Sequence, residues 1–234
     1  MHIGLIGGIG PAATVSYYQR MCARMRQLGA PLELTIVQAD VNTLIANNLA
    51  DRREEQATIY AALIDQLKAA GADCVGITSL GGHFCFDETA QIASLPLVSA
   101  VAPLDEHFAG EGIKRVGLLG TRVVMRTRLF GQLHRTSAVA CDDDIDRLGQ
   151  AYQEMAVSGE CSDTQREVFF AAGRRMVDEQ GAEAIVLAGT DLNLAFDGTR
   201  DPGYRVIDAL DVHVAALVEL ATGRRGLDGV QRVR

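Results

Sequence analysis

Short apolar segments alternate along the chain with longer stretches in which apolar residues recur at helical spacing. The short segments are apolar throughout, which is typical of parallel strands covered on both faces. Strand–helix alternation of this kind predicts an α/β fold. The predicted strands are residues 3–6, 32–37, 74–78, 97–101, 116–119, 138–140, 184–187 and 204–207. The predicted helices are residues 12–28, 52–70, 87–93, 123–131, 145–158, 163–180 and 206–222.

The two halves of the chain open with similar sequences, IGLIG at residues 3–7 and VGLLG at residues 116–120, each before a predicted helix. Further on, each half has an apolar strand that ends in small polar residues, at residues 76–79 and 187–191. This weak repeat predicts two similar parallel-sheet α/β lobes. Since ligands of open α/β sheets bind at the carboxyl ends of the strands, we expect the site in the cleft between the lobes. The predicted lobes are residues 1–105, joined by the C-terminal helix 206–222, and residues 106–205.

The chain is acidic, with 22 basic and 30 acidic residues and a formal net charge of −8 in 234 residues. Because such a surface repels phosphate backbones, we expect no nucleic acid partner. A small anionic substrate stays possible, since a helix N-terminus or a few cations can bind it locally. No apolar run reaches the roughly 18 residues of a membrane span, and no basic segment precedes the first strand. We therefore expect neither membrane association nor a signal peptide.

The five cysteines form no CxxC pair, and their number is odd. This usage favours reduced thiols in a cytoplasmic protein over a disulfide framework. No group of His, Asp, Glu and Cys residues has metal-ligand spacing, so we expect no metal ion. The cysteines are Cys22, Cys74, Cys85, Cys141 and Cys161.

A glycine-rich loop, GIGPAA at residues 8–13, follows the first predicted strand and fits the outline of a dinucleotide-binding fingerprint. Pro11 removes a backbone N–H where a pyrophosphate needs donors, although proline is common at the first position of a helix. The alternative is a turn that positions a substrate carboxylate near a helix N-terminus, and we favour it. Gly8 and Pro11 then become candidate substrate-binding residues.

The same loop begins a wider resemblance. Residues 3–14 with Tyr17-Tyr18, and then PLVS at 96–99, GLLGT at 117–121 and GTDL at 189–192, follow one another in the order found in a known family. Over about residues 1–220 the chain resembles the aspartate/glutamate racemase superfamily, in its aspartate racemase branch. The resemblance implies two α/β lobes, a site in the cleft, no cofactor and a homodimer. It also implies a small carboxylate or amino acid as the substrate.

The racemases of that family move the α-proton with two cysteines, and this sequence lacks both. The family motif Cys-Asn-Thr-Ala-His corresponds to SLGGH at residues 79–83, and Gly-Cys-Thr-Glu corresponds to AGTD at residues 188–191. Ser79 and Gly189 therefore stand where the thiols would be. A hydroxyl is a much weaker base than a thiolate unless a partner activates it, and glycine has no side chain. Two-thiol racemisation is accordingly not expected.

Several polar residues at these motifs remain candidates for chemistry. The resemblance suggests Ser79, His83 and Asp191 as catalytic residues, with Ser79 and Thr190 donating hydrogen bonds and the other two carrying protons. Each has a plainer alternative. Ser79 and Thr78 can cap a helix, and His83 can be a hydrogen-bonded structural residue. Asp191 is a weak base unless it is desolvated.

The candidate substrate-binding residues lie on the loops that follow the predicted strands. Arg52 can bind a substrate carboxylate in a bidentate manner, or it can simply begin an exposed helix beside Glu54 and Glu55. Cys85 lies at a predicted helix start, where a thiol can have a lowered pKa. The full set is Gly8, Pro11, Asn42, Arg52, Thr78, Gly81, Gly189 and Thr190.

These observations together predict a cofactor-independent enzyme that transfers a proton at the α-carbon of a small amino acid or dicarboxylic acid. A site with fewer paired bases also suits one-sided chemistry, so a lyase, decarboxylase or isomerase on the same scaffold is an alternative. A third possibility is a non-catalytic relative that binds a ligand.

Overall fold

The computed structural model describes residues 1–8 and 10–228. Ile9 of the glycine-rich loop and residues 229–234 lie outside the described residues. The chain divides into two compact units, Met1–Pro103 with Asp211–Arg234, and Leu104–Leu210. Each unit contains a four-stranded parallel sheet flanked by helices. The predicted α/β fold with two parallel-sheet lobes is therefore confirmed.

The sheet of the first unit has the order β2-β1-β3-β4, and each strand is parallel to its neighbours. The central strands β1 and β3 are buried along their whole length, whereas the edge strand β2 is partly exposed. Central strands covered on both faces account for the continuous apolar runs in the sequence. The strands are β1 Ile3–Gly7, β2 Leu34–Gln38, β3 Cys74–Ile77 and β4 Leu97–Val98.

The sheet of the second unit has the order β6-β5-β7-β8 and is likewise parallel. In both units the first strand of the unit pairs with the second on one side and with the third on the other. The repeat in the sequence therefore corresponds to a repeat in topology. The strands are β5 Arg115–Gly120, β6 Ser137–Val139, β7 Ala184–Ala188 and β8 Val206–Asp208.

Helices connect the strands in both units. Those of the described residues are α1 Pro11–Gln27, α2 Val41–Leu49, α3 Arg53–Ala69, α4 Phe86–Ile92, α5 Ala102–Gly110, α6 Arg122–Thr127, α7 Ile145–Ser158, α8 Asp163–Gln180 and α9 Ala209–Ala221. Short 3₁₀ segments occupy Leu80–Cys85, Leu129–Gly131, Asp142–Asp144 and Thr190–Leu194.

Local sequence signals define several helix ends. Pro11 lies at the first position of α1, as the sequence predicts, and Gly10 precedes it in an extended conformation. Helix α8 begins with a capping box in which Ser162 and Gln165 satisfy each other's backbone N–H groups. It ends at Gly181, whose φ of 68° suits a residue without a Cβ atom.

Two helices were not predicted from the sequence, α2 and α5. Helix α2 begins because the Asp40 side chain accepts a hydrogen bond from the Thr43 backbone N–H at 2.8 Å. Three asparagines within α2 have low helix propensity, so the segment resembles a loop in sequence. Its buried residues are Leu44 and Asn47.

Two predicted helix boundaries were wrong. The helix expected over 206–222 begins only at Ala209, because Val206–Asp208 forms a parallel ladder with β7. The helix expected over 123–131 ends at Thr127, because Arg128 takes a left-handed conformation with φ 53° and ψ 54°. The strand overlaps the predicted strand 204–207, whereas the left-handed turn has no distinct signal in the apolar pattern.

Candidate functional site

Two polar turns occupy equivalent positions in the two units, directly after β3 and β7. Each begins with one extended residue, Ser79 with φ −143° and ψ 127° in the first unit and Gly189 with φ −166° and ψ 128° in the second. A 3₁₀ segment follows each of them, Leu80–Cys85 and Thr190–Leu194. Ser79 and Gly189, the two positions to which the resemblance assigns the family's thiols, thus lie at the same place in the repeated topology.

Ser79 leads into the turn of the first unit, and its side chain makes no capping hydrogen bond. Its main-chain carbonyl instead accepts the backbone N–H of Gly82 at 3.1 Å. The residue is only half-buried. The hydroxyl is therefore not used as a helix cap, which removes the plainer interpretation of this serine.

His83 is fully buried under the same turn. Its Nε2 accepts the backbone N–H of Ala100 at 3.0 Å, so the ring proton lies on Nδ1, which donates to the Ser79 carbonyl at 2.9 Å. Burial lowers the pKa of His83 to about 4. Both nitrogens join main-chain segments, and this geometry favours the structural interpretation of His83 over proton transfer.

Thr78 holds the end of β3 to the start of α1. Its hydroxyl is buried, donates to the Ile6 carbonyl at 3.1 Å and accepts from the Thr14 hydroxyl at 2.8 Å. Because its one proton is directed to a main-chain carbonyl, a role for Thr78 in substrate binding stays a prediction without support from these contacts.

The glycine-rich loop packs closely against helix α2, which favours small residues in it. A Cβ atom on Gly8 would lie 2.6 Å from Cδ1 of Leu44, so a larger residue at this position would displace the Leu44 side chain of α2. Pro11 is exposed at the first turn of α1. Helix α2 also contacts the turn of the first unit, where the Asn48 side chain donates to the Gly81 carbonyl at 3.0 Å.

Asn42 lies near the start of α2, and Arg52 lies after its end. Asn42 is exposed in the first turn of α2, and Arg52 is exposed directly before α3. The neighbouring Arg53 forms ion pairs with Asp51 at 2.8 Å and with Glu88 at 3.8 Å. A role for either Asn42 or Arg52 in binding substrate stays a prediction.

In the second unit, the space beside Gly189 is filled by Tyr152 of α7. A Cβ atom on Gly189 would lie 2.6 Å from Cε2 and 2.7 Å from Oη of that tyrosine. The Tyr152 hydroxyl donates to Oδ2 of Asp191 at 2.7 Å. The Tyr152 ring and its hydroxyl therefore occupy the space into which a side chain at position 189 would project.

The environment of Tyr152 keeps the phenol protonated. Burial of the side chain, followed by the negative charge of Asp191, raises the pKa of Tyr152 well above its ordinary value of 10. Sequence reasoning missed this residue, because Leu148, Tyr152 and Met155 recur at the spacing of an ordinary buried helix face. Its partner lies 39 positions away, and no local signal indicates the pair.

Two further contacts fix the turn after β7. The Asn193 side chain donates to the Thr190 carbonyl at 3.0 Å. Arg166 of α8 is buried, donates to the Ala195 carbonyl, and forms a bidentate ion pair with Asp197 at 2.9 and 3.0 Å. Thr190 and Asp191 are half-buried. The turn is thus held at its start by α7 and at its end by α8.

All five cysteines are free, and two of them are buried deep in the first unit. The expectation of a lowered pKa for Cys85 is wrong, since burial raises its pKa to about 12. Its Sγ lies 3.9 Å from the Gly82 carbonyl and 3.7 Å from the Thr89 hydroxyl. Burial likewise raises the pKa of Cys74 to about 11, and this cysteine lies in the core.

Within residues 1–8 and 10–228, no cluster of three His, Cys, Asp or Glu side chains has a geometry suited to a metal ion. A search of the same residues finds no helix with the length and apolar character needed to cross a membrane.

Solved structures similar to this chain are racemases and their homologues. An aspartate racemase homologue from Pyrococcus horikoshii OT3 has a TM-score of 0.79 at 24% identity, covering 94% of this chain and 99% of that one. The aspartate racemase of Picrophilus torridus has a TM-score of 0.70 at 18% identity, covering 95% of each chain. Glutamate racemase from Francisella tularensis, in complex with D-glutamate, has a TM-score of 0.67 at 13% identity, covering 96% and 82%. At these identities the likeness establishes the fold.

The sequence profile of the Asp/Glu/Hydantoin racemase family matches residues 6–217, which include both polar turns and all of the candidate site residues. The prediction made from the motifs is confirmed, and the chain belongs to the Asp/Glu/Hydantoin racemase family.

Proposed function

We propose that this protein is a cofactor-independent enzyme that transfers a proton at the α-carbon of a small amino acid or dicarboxylic acid. The main support is the pair of equivalent turns after β3 and β7, the first beginning at Ser79 and the second, which begins at Gly189, containing Thr190 and Asp191. The family resemblance assigns thiols to the starting position of each turn. The D-glutamate complex of the Francisella tularensis relative supports a substrate of that size and charge.

The two turns supply different groups. In the first unit, Ser79 and the backbone of its turn donate hydrogen bonds to a carboxylate or an enolate oxygen. In the second, Thr190 provides a second donor and Asp191 provides a carboxylate. We assign His83 to holding the first turn in shape, because both of its ring nitrogens bond to the main chain.

The difference between the turns favours a second candidate function. The first turn offers the Ser79 hydroxyl without a base beside it. At the second turn, the Tyr152 phenol of α7 is paired with the Asp191 carboxylate. Such asymmetry suits a lyase, decarboxylase or isomerase that delivers a proton to one face of the carbon. Racemisation needs comparable acid–base groups for both faces.

Incubating the purified protein in D₂O with a panel of L- and D-amino acids and dicarboxylic acids tests the proposal. Deuterium at the α-carbon with loss of optical rotation would support racemisation. An unsaturated, isomerised or shortened acid would support one-sided chemistry. Ligand binding by thermal shift, without exchange or product for any compound, would overturn the proposal in favour of a non-catalytic relative.

We also propose that the enzyme acts in the cytoplasm as a homodimer. The family resemblance supports the dimer, and five unpaired thiols support a reducing compartment. Sedimentation equilibrium at micromolar concentration tests the oligomeric state, and a monomeric mass would contradict it.

A further inference from the structure

The strongest unexplained feature is that Tyr152 fills the position of a missing side chain. Its ring and hydroxyl lie within 2.6–2.8 Å of a Cβ atom built on Gly189, closer than van der Waals contact permits. Glycine at position 189 and tyrosine at position 152 are therefore one coupled arrangement. A residue with a side chain at 189, cysteine included, requires the tyrosine ring to move.

The equivalent helix of the first unit, α2, makes only a structural contact with its polar turn. Helices α2 and α7 each follow the second strand of their unit and contact the polar turn. From α2, the Asn48 amide bonds to a main-chain carbonyl of the turn. From α7, Tyr152 bonds to a carboxylate side chain instead, through a phenolic hydroxyl that can take part in proton transfer.

The Tyr152 hydroxyl also carries a proton and has a fixed direction, as a proton donor requires. It is only 2.7 Å from the Asp191 carboxylate, which fixes its direction and disfavours the phenolate. The residue is half-buried, so the tyrosine is not sealed within the core. Rotation about the Cζ–Oη bond redirects the proton from Asp191 toward a bound molecule.

We propose that Tyr152 is the proton donor of the second unit, and that its phenol replaces the thiol missing at position 189. This inference rests on the proposed function. In the one-sided reaction that this geometry suits, the bond from the α-carbon to a departing carboxylate breaks, its electron pair stays on the α-carbon, and CO₂ leaves. The Oη–H bond of Tyr152 then breaks, its electron pair stays on Oη, and the proton bonds to the α-carbon. The phenolate then takes a proton from water, so the enzyme returns to its starting state.

Tyr152→Phe is the direct test, because it removes the hydroxyl and keeps the ring. Tyr204→Phe is the matched control, since it removes a half-buried phenol in the same unit that bonds to the Phe170 carbonyl at 3.2 Å. With a substrate found in the D₂O panel, we expect kcat for Tyr152→Phe to fall by about 100-fold or more. KM should change little, and Tyr204→Phe should stay within about twofold of the wild type.

Gly189→Ala provides a second variant that keeps the tyrosine but displaces it. The added Cβ atom pushes the Tyr152 ring aside, so a similar fall in kcat is expected, with no further fall in the double variant. Circular dichroism and thermal unfolding check that each variant is folded. If Tyr152→Phe does not fold, Gly189→Ala alone decides the test.

The outcomes separate this inference from the proposed function. A wild type that turns over substrate, with kcat unchanged in Tyr152→Phe or in Gly189→Ala, overturns the role of Tyr152 alone. A wild type that is inactive on the whole panel overturns the proposed function and this role with it.

Discussion

At the scale of single residues, Ser79 decides what the first turn can do. A serine in place of a thiol keeps a hydrogen-bond donor but loses an easily formed anion. The side chain makes no cap for the 3₁₀ segment that it precedes, so its hydroxyl remains for a ligand. The role that we propose for Ser79 is therefore the stabilisation of negative charge on the substrate.

Ser79→Ala tests that role. Because one donor to an oxyanion is lost, kcat should fall by about 100-fold, while the unfolding temperature changes little. Ser94→Ala is the control, since it removes an exposed hydroxyl that binds Asp65 in the same unit. Steady-state kinetics and a thermal melt measure both effects, and equal kcat values for the two variants would show that Ser79 has no catalytic role.

The candidate site was predictable from the sequence only in part, and residue-scale chemistry explains the difference. Ser79, Gly189 and Asp191 are found because they lie at the end of a strand within a short motif. Tyr152 is invisible to such reasoning, because its partner comes from a distant strand end and its own helix looks like ordinary core. Similarly, the burial that raises the pKa of Cys85 depends on tertiary structure.

At the scale of elements, strands and long helices follow from the apolar pattern. Helices α7 and α8 begin and end where predicted. Their ends are well defined because a glycine in the left-handed region terminates each of them. Helix α2 is missed, because its start depends on a single Asp40 cap and its interior is rich in asparagine. Elements of low intrinsic propensity form because neighbouring elements bury them, and local sequence contains little of that information.

Two buried histidines connect elements of the first unit. His83 joins the turn after β3 to Ala100, and His213 of α9 is hydrogen-bonded to the Tyr17 hydroxyl of α1 at 2.7 Å. Burial lowers the pKa of His83 to about 4 and that of His213 to about 3, from an ordinary value of 6.5. Both are neutral in the folded protein at neutral pH.

These histidines predict acid sensitivity of the fold. Below about pH 6.5 the unfolded chain binds protons that the folded chain does not, so the free energy of unfolding decreases as pH falls toward 4. Each histidine contributes up to about 1.4 kcal/mol per pH unit in that range. Urea unfolding between pH 7.5 and 4.5 measures the slope.

His213→Gln is the matched variant for this prediction, because glutamine does not titrate and retains hydrogen-bonding groups. The variant should show a shallower dependence of unfolding free energy on pH than the wild type, whatever its stability at pH 7.5. An unchanged slope would mean that His213 does not contribute to the acid sensitivity.

At the scale of the whole molecule, the chain is a repeated α/β unit whose two copies have diverged at the same position. Both sheets have the same strand order, and both third strands lead into a 3₁₀ turn. The fold of the family is retained, while Ser79 and Gly189 stand at the positions to which the resemblance assigns its thiols. The function proposed above therefore changes the chemistry while the fold stays the same, which is expected when function depends on a few residues placed on a stable scaffold.

This divergence predicts which substitutions restore a two-thiol site. In Ser79→Cys/Gly189→Cys, the Cβ atom at 189 lies 2.6–2.8 Å from the Tyr152 side chain, so ring and thiol displace each other and racemisation stays at the wild-type level. Adding Tyr152→Ala removes the obstacle, and we expect loss of optical rotation with L-aspartate or L-glutamate well above that of the double variant. Each variant is first checked for folding by circular dichroism. Equal rates in the folded double and triple variants would mean that Tyr152 is not what separates this protein from two-thiol chemistry. A gain in the triple variant alone would show that one aromatic ring is the main barrier between the two chemistries on this scaffold.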